Sequence, residues 1–218
     1  MDAAKKVFHR SLFLTGAAGR LEALLWTSGA PAPAMAGLVC HPHPLFGGTM
    51  HNKVAFQAAR SLHRAGLPVL RFNFRGAGLS AGEHDRGRGE QEDVRSALDF
   101  LSEEFPGVPV VLAGFSFGAW VGLRVGAEDA RVAQLAGLGI PVNDSDFSYL
   151  HECAKPKLFV VGTEDQFAAR DRVESLFATL PEPKRLVFVE GADHFFTGKL
   201  DQVDHALTDW LKTQARKR

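Results

Sequence analysis

The run from Val110 to Gly122 reads Val-Val-Leu-Ala-Gly-Phe-Ser-Phe-Gly-Ala-Trp-Val-Gly, and it constrains the fold more than any other stretch of the chain. An apolar strand run stops at Gly114, Ser116 follows, and Gly118 opens a helix-forming stretch. This is G-x-S-x-G in a strand–turn–helix context. The turn must be strained for the Ser116 hydroxyl to project from the strand end. The residues two before and two after must then lack a Cβ, because strand and helix backbones nearly touch there. A serine so placed is a candidate nucleophile awaiting a base. The plain alternative, a glycine-rich turn with an incidental serine, is disfavoured by the flanking elements and by the partners found further along.

Periodicity places a hairpin first, with strands over Val7–Leu14 and Arg20–Thr27. A proline-containing loop, Ser28–Pro33, leads to a short buried strand, Ala36–His41. Strands are then expected over Leu67–Phe74, Val108–Ala113, Val132–Ile140, Lys157–Val161 and Arg185–Glu190. Helices are expected over Lys53–Ala65, Glu90–Glu104, Phe117–Ala127, Phe167–Thr179 and Lys199–Thr213, with a short one over Ser145–His151. Gly76–Gly89, rich in glycine and charge, reads as a long loop. Strand–helix alternation after the hairpin implies a mostly parallel central sheet of about eight strands, covered by helices on both faces. No repeat or linker interrupts the 218 residues, so one α/β domain, 1–218, is expected. In such sheets the working groups gather at the carboxyl ends of strands.

That rule selects Ser116's partners. His194 follows the last strand in Glu190-Gly-Ala-Asp-His194, and Asp165 follows the preceding one in Gly162-Thr-Glu-Asp165. Serine, acid and histidine thus each sit on a loop at a strand end. Glu164 is a neighbouring rival expected to face solvent, and Asp193 is expected to stabilise its own loop. Asp144 and Asp146 follow an earlier strand and are weaker candidates for the acid. The segment His41-Pro-His-Pro-Leu-Phe-Gly-Gly48 lies where an oxyanion donor should arise, the other being the Phe117 amide. Pro42 and Pro44 have no N–H. The donor is therefore His43, Leu45 or Phe46, with His43 favoured and Leu45 second.

Lys and Arg number 25, as do Asp and Glu, so nothing marks a nucleic-acid or anionic-membrane partner. The basic tail from Lys212 to Arg218 reads as the frayed end of the last helix. Two cysteines with no paired spacing fit a reducing compartment. The N-terminus lacks a leader signature, and no apolar run approaches the roughly 18 residues of a membrane span. A cytoplasmic location, no membrane partner and no cofactor are expected, with monomer or homodimer left open. His41-Pro-His43 could open a metal site, joined by His51 or His84. Without a further cluster of matching spacing, no metal is expected.

Gly114-Phe-Ser-Phe-Gly118, Gly162-Thr-Glu-Asp165 and Gly191-Ala-Asp-His194 together resemble the alpha/beta-hydrolase superfamily, whose chain order is serine, acid, histidine. The segments His41–Lys53, Arg71–Ser80 and His194–Phe196 look like those of a small bacterial subfamily of serine hydrolases near the dienelactone hydrolases. The resemblance spans about Phe8 to Leu211 and implies an alpha/beta-hydrolase fold and hydrolysis of esters. One departure matters: dienelactone hydrolases proper use cysteine where this chain has Ser116. Arg75, in the resembling segment, is expected to tie loops together rather than bind an anionic substrate.

Acyl transfer by Ser116, Asp165 and His194 on a small-molecule ester follows as the expected chemistry, with oxyanion donors at His43 and Phe117. Leu45, Phe46, Phe115, Phe167 and Phe195 are expected to line an apolar pocket, whereas Trp120 is assigned to the core. The connection Pro141–Pro156 is short for a cap domain, so a lidless site suited to short acyl chains is expected.

Overall fold

In a computed structural model, residues 8–28 and 33–215 are described. The N-terminal segment, most of the expected Ser28–Pro33 loop and the end of the basic tail lie outside them. β1 (Phe8–Gly16) and β2 (Gly19–Thr27) form the expected hairpin. β3 (Ala36–Cys40), α1 (Lys53–Arg64), β4 (Val69–Phe72), α2 (Arg88–Glu104), β5 (Val110–Phe115) and α3 (Phe117–Glu128) follow. β6 (Val132–Leu138), β7 (Lys157–Gly162), α4 (Arg170–Thr179), β8 (Lys184–Val189) and α5 (Leu200–Ala215) complete the order.

The eight strands form one sheet in the order β1-β2-β4-β3-β5-β6-β7-β8. β2 pairs antiparallel with β1 and β4, and every other pairing is parallel. This is the alpha/beta-hydrolase fold. β3 and β5 are buried along their whole length, which explains why they read as continuous apolar runs rather than alternating ones. Two apolar layers cover the sheet. One joins Val94, Leu98 and Leu101 of α2, Val121 and Val125 of α3 and Val173 of α4. The other joins Val54, Ala58 and Leu62 of α1 with Val203, Leu207 and Trp210 of α5. No helix among the described residues is long and apolar enough to cross a membrane.

Beyond end shifts of one or two residues, three departures from expectation stand out. α4 begins at Arg170, because the Phe167 amide donates to Asp165 Oδ1 and the Ala168 amide to the Asp165 carbonyl, a turn that holds the chain out of the helix. The short helix expected over Ser145–His151 contracts to a single 3-10 turn, Ser148–Leu150. An unforeseen 3-10 turn forms at Pro44–Phe46, with proline at its first position.

Strand and helix meet at Gly114 and Gly118. A Cβ on Gly114 would stand 2.6 Å from the Ala119 Cα, and one on Gly118 2.5 Å from the Cys40 carbonyl oxygen. These obstacles are backbone atoms and cannot rotate away. Gly118→Ala is expected to lose about 3 kcal/mol or more of stability, lowering the melting temperature by roughly 6–12 °C. A calorimetric scan showing an unchanged transition would contradict the close approach.

Candidate active site

β3, β5, β7 and β8 end at one edge of the sheet, and the loops beyond them build the site. Ser116 occupies the turn from β5 into α3 with φ 55° and ψ −123°, a left-handed conformation foreign to most side chains. The surroundings over-determine it. Its amide donates to the Leu138 carbonyl at 3.0 Å, and its own carbonyl accepts from Ala119 at 2.9 Å and Trp120 at 3.1 Å.

His194 Nε2 lies 2.9 Å from Ser116 Oγ. Its Nδ1 lies 2.9 and 2.8 Å from the two carboxylate oxygens of Asp165. Both side chains are almost wholly withdrawn from solvent. The imidazole is held by aromatic rings, with centroids at 4.7 Å for Phe167, 5.0 Å for Phe115 and 5.3 Å for Phe195. Gly139, with φ 50°, brings its backbone close to the ring's edge, where a Cβ would sit 3.3 Å away. The structure brings together the three residues that the strand-end rule selected. Of the rival acids, Glu164 and Asp144 are exposed, Asp193 accepts the Thr197 amide at 2.8 Å, and Asp146 is held by Ser148 and Arg124.

On the loop after β3, the Leu45 amide donates to His43 Nδ1 at 3.2 Å and the Phe46 amide to the His43 carbonyl at 3.1 Å. With Pro42 and Pro44 lacking N–H groups, the His43 amide is left without an acceptor among the described residues. The Phe117 amide, first in α3, is left likewise. The His43 ring lies 4.7 Å from the Phe117 ring. Burial, with His84 beside it, holds the His43 imidazole below its ordinary pKa, in keeping with an Nδ1 that accepts a hydrogen bond.

His41 is a structural residue. Its Nδ1 donates to the Pro42 carbonyl at 2.6 Å, and its Nε2 accepts the Phe74 amide at 2.9 Å. The two backbone partners fix the tautomer and leave no lone pair for a metal, so His41-Pro-His43 does not act as a chelating pair. Complete burial lowers the His41 pKa from 6.5 to about 3. A histidine depressed in the folded state stabilises fully above its unfolded pKa and loses that contribution as pH falls toward the folded one. Near pH 5 the loss is about 2 kcal/mol. Urea unfolding at stepped pH is expected to show this slope, and a His41→Asn variant to show less of it.

A family model described as an alpha/beta hydrolase domain matches residues 36–217. The chain belongs to the alpha/beta hydrolase family. An uncharacterised protein of Rickettsia prowazekii is 35% identical over 211 residues, covering 93% of this chain and 88% of that protein. An alpha-beta serine hydrolase homologue from Coxiella burnetii superposes with TM-score 0.86 at 36% identity, covering 92% of this chain and 96% of that one. A Xanthomonas campestris protein described as a serine hydrolase without lid superposes with TM-score 0.86 at 34% identity and covers 94% of each chain.

In this alpha/beta hydrolase a cavity of about 610 Å³ opens over Ser116 and His194. The expected liners Phe46, Phe167 and Phe195 face it, as does Phe117. Leu45 and Phe115 do not line it, and these two assignments are corrected. Leu45 is 69% exposed and points outward from the 3-10 turn; Phe115 is fully buried beneath the His194 ring. Trp120, assigned to the core, packs against the core layer and also lines the cavity, donating from Nε1 to the Asp146 carbonyl at 3.1 Å. His84 and Arg86, on the long loop before α2, also reach the cavity; no periodic signal in a glycine-rich loop marks them. Arg75 has a structural role, tying its loop to helix α2 rather than to another loop, with Nη2 2.8 Å from Asp93 Oδ1 and its amide 2.9 Å from Oδ2. The β6–β7 connection contributes Pro141, Asp144, Ser145 and Asp146 to the cavity wall.

Proposed function

We propose that this chain is a serine carboxylesterase that hydrolyses small, short-acyl esters through an acyl-enzyme intermediate. The observation that carries the reading is the buried His194 imidazole, within 2.9 Å of both the Ser116 hydroxyl and the Asp165 carboxylate. In this reading Ser116 Oγ attacks the ester carbonyl while His194 Nε2 takes its proton. Asp165 holds the proton on Nδ1, fixes the ring and stabilises the imidazolium. The amides of His43 and Phe117 receive the developing oxyanion. They carry no internal partner that would have to be released first. His194 then protonates the leaving alcohol and activates water to release the acid. Aromatic walls from Phe46, Phe117, Trp120 and Phe167 suit an apolar acyl group. The same residues would serve a thioester or a lactone.

A 4-nitrophenyl ester series, run beside matched thioesters and lactones, tests the proposal. Turnover is expected for acetyl to octanoyl esters and should fall beyond about eight carbons, since a lidless cavity of this size leaves longer chains in water. Hydrolysis of none of the esters would overturn the assignment. Faster turnover of thioesters or lactones would redirect it.

A further inference from the structure

We infer that the cavity carries a cationic subsite, formed by His84 and Arg86, that takes a free carboxylate on the substrate. This deepens the esterase reading and rests on it: the favoured substrates are half-esters of dicarboxylic acids and other esters bearing an anionic group.

The subsite begins with a buried carboxylate. Glu90, in the first turn of α2, is fully withdrawn from solvent. Its Oε1 accepts the Asp85 amide at 2.9 Å and its Oε2 the Gly87 amide at 2.8 Å. His84 Nδ1 stands 2.8 Å from Oε1. That approach is out of line for a hydrogen bond, and the buried Nδ1 has no other partner among the described residues. Asp93, also buried on α2, takes the guanidinium of Arg75 for itself through Nε and Nη2. Two buried carboxylates therefore share one arginine, and Glu90 is left to the Asp85 and Gly87 amides and to His84. Asp85 nearby is half-exposed, accepts the Gly89 amide and stands 4.0 Å from Arg88.

The His84 side chain is only 10% exposed, yet the residue lines the cavity. With Nδ1 turned to Glu90, the edge left for the cavity is Nε2. The ring centroid lies 4.6 Å from His43 and 5.5 Å from Phe117, the residues whose amides await an oxyanion.

Two residues on, Arg86 also lines the cavity, exposed and with no carboxylate partner among the described residues. Its backbone is left-handed at φ 54°, and Gly87 follows at φ 88°. Such strain in an arginine persists only where surroundings hold it. Here Glu90 does so by gripping the amides on either side. The wall thus presents one donor that keeps its charge and one imidazole backed by a carboxylate, a pairing suited to an anionic oxygen pair. Acidic groups meet the same cavity from the β6–β7 connection. Asp146 is engaged by Ser148 and Arg124, while Asp144 is exposed. They define the competing outcome.

The test compares three 4-nitrophenyl esters of similar length: the monoadipate, the hexanoate and the 6-aminohexanoate. Wild-type kcat/KM is expected to be about tenfold to hundredfold higher for the monoadipate than for the hexanoate. Arg86→Asn, which keeps a residue tolerant of positive φ, is expected to erase most of that ratio. Arg86→Lys should restore part of it, and His84→Gln should lower it. Because the ratio is read within each protein, a general loss of turnover cancels. A hexanoate preference overturns the proposal. Fastest turnover of the 6-aminohexanoate overturns it in favour of Asp144. Calorimetric titration of Ser116→Ala with monomethyl adipate reads the subsite without chemistry. Binding there at least tenfold tighter than methyl hexanoate supports the subsite even if no ester is turned over, and equal binding overturns it.

Discussion

Ser116→Ala is expected to lower kcat on 4-nitrophenyl butyrate by a factor on the order of 10⁵–10⁶, to the level left by oriented binding alone. The residue holds the position where β5 breaks into α3, and its hydroxyl is what His194 Nε2 meets at 2.9 Å. Alanine removes Oγ but not the backbone conformation that presents it. Because Ser116 is held at φ 55° by hydrogen bonds that its amide donates and its carbonyl accepts, the variant keeps those bonds and should fold. Removing the side chain leaves His194 Nε2 buried near a small void, a cost of no more than about 1–2 kcal/mol. Activity and stability therefore separate, which distinguishes a nucleophile from a structural serine. A fluorophosphonate should attach to wild-type Ser116 and not to the variant. Labelling that persists in Ser116→Ala, or an activity loss of less than tenfold, would reject the assignment.

What the sequence makes legible follows from how local each constraint is. Gly114 and Gly118 announce the elbow because a backbone–backbone approach excludes every other side chain there, whatever the distant structure. Ser116, Asp165 and His194 are readable together because parallel topology carries every strand's carboxyl end to one edge. The Ala- and Gly-rich β6 gives a weak strand signal, yet pairing with β5 and β7 on both sides holds it extended. The cavity wall is less readable, since it depends on the direction of each turn. In the 3-10 turn of Pro44–Phe46 successive side chains diverge by a third of a revolution, so Phe46 faces the cavity while Leu45 faces solvent. Phe115 neighbours Ser116 in the chain but, as the last residue of β5, joins the core layer shared by α1 and α5. His84 and Arg86 carry no pattern at all; Glu90, six and four residues away, places them through hydrogen bonds that no periodicity encodes.

The amide proposed to complete the oxyanion hole shows the same division. Sequence narrows it to three residues by striking out the prolines, and the turn then consumes two of them. Once the Leu45 amide is spent on His43 Nδ1 and the Phe46 amide on the His43 carbonyl, His43 is the candidate of the three whose amide has no acceptor among the described residues, and its ring lies beside that of Phe117. Pro44 thus does more than lack a donor: it opens the 3-10 turn in which the competing amides are occupied. Gly47 at φ 75° ends that turn. Gly48 packs so closely on the Pro42 and His43 carbonyls that a side chain there would push the loop away from Ser116.

Asp165→Asn is expected to reduce kcat about 10⁴-fold while leaving the fold intact. The size of this loss follows from which oxygen does what. Asp165 Oδ1 accepts the Phe167 amide at 2.9 Å and also approaches His194 Nδ1 at 2.9 Å, whereas Oδ2 meets Nδ1 alone at 2.8 Å. In the asparagine variant the backbone N–H of Phe167 still requires an acceptor, so the amide oxygen takes the Oδ1 position. The NH₂ group then falls at the Oδ2 position and donates to Nδ1. His194 answers by moving its proton to Nε2, the nitrogen that must be bare to receive one from Ser116. The geometry survives, but the base faces the wrong way. The opposite amide orientation would keep the tautomer, at the expense of setting the NH₂ against the Phe167 N–H in a fully buried position. The variant should melt within a few degrees of the wild type. Its imidazole ¹⁵N shifts should report the Nε2–H form, and fluorophosphonate labelling should slow roughly in step with kcat. Retention of the Nδ1–H form together with near wild-type turnover would show that Asp165 does not orient the base.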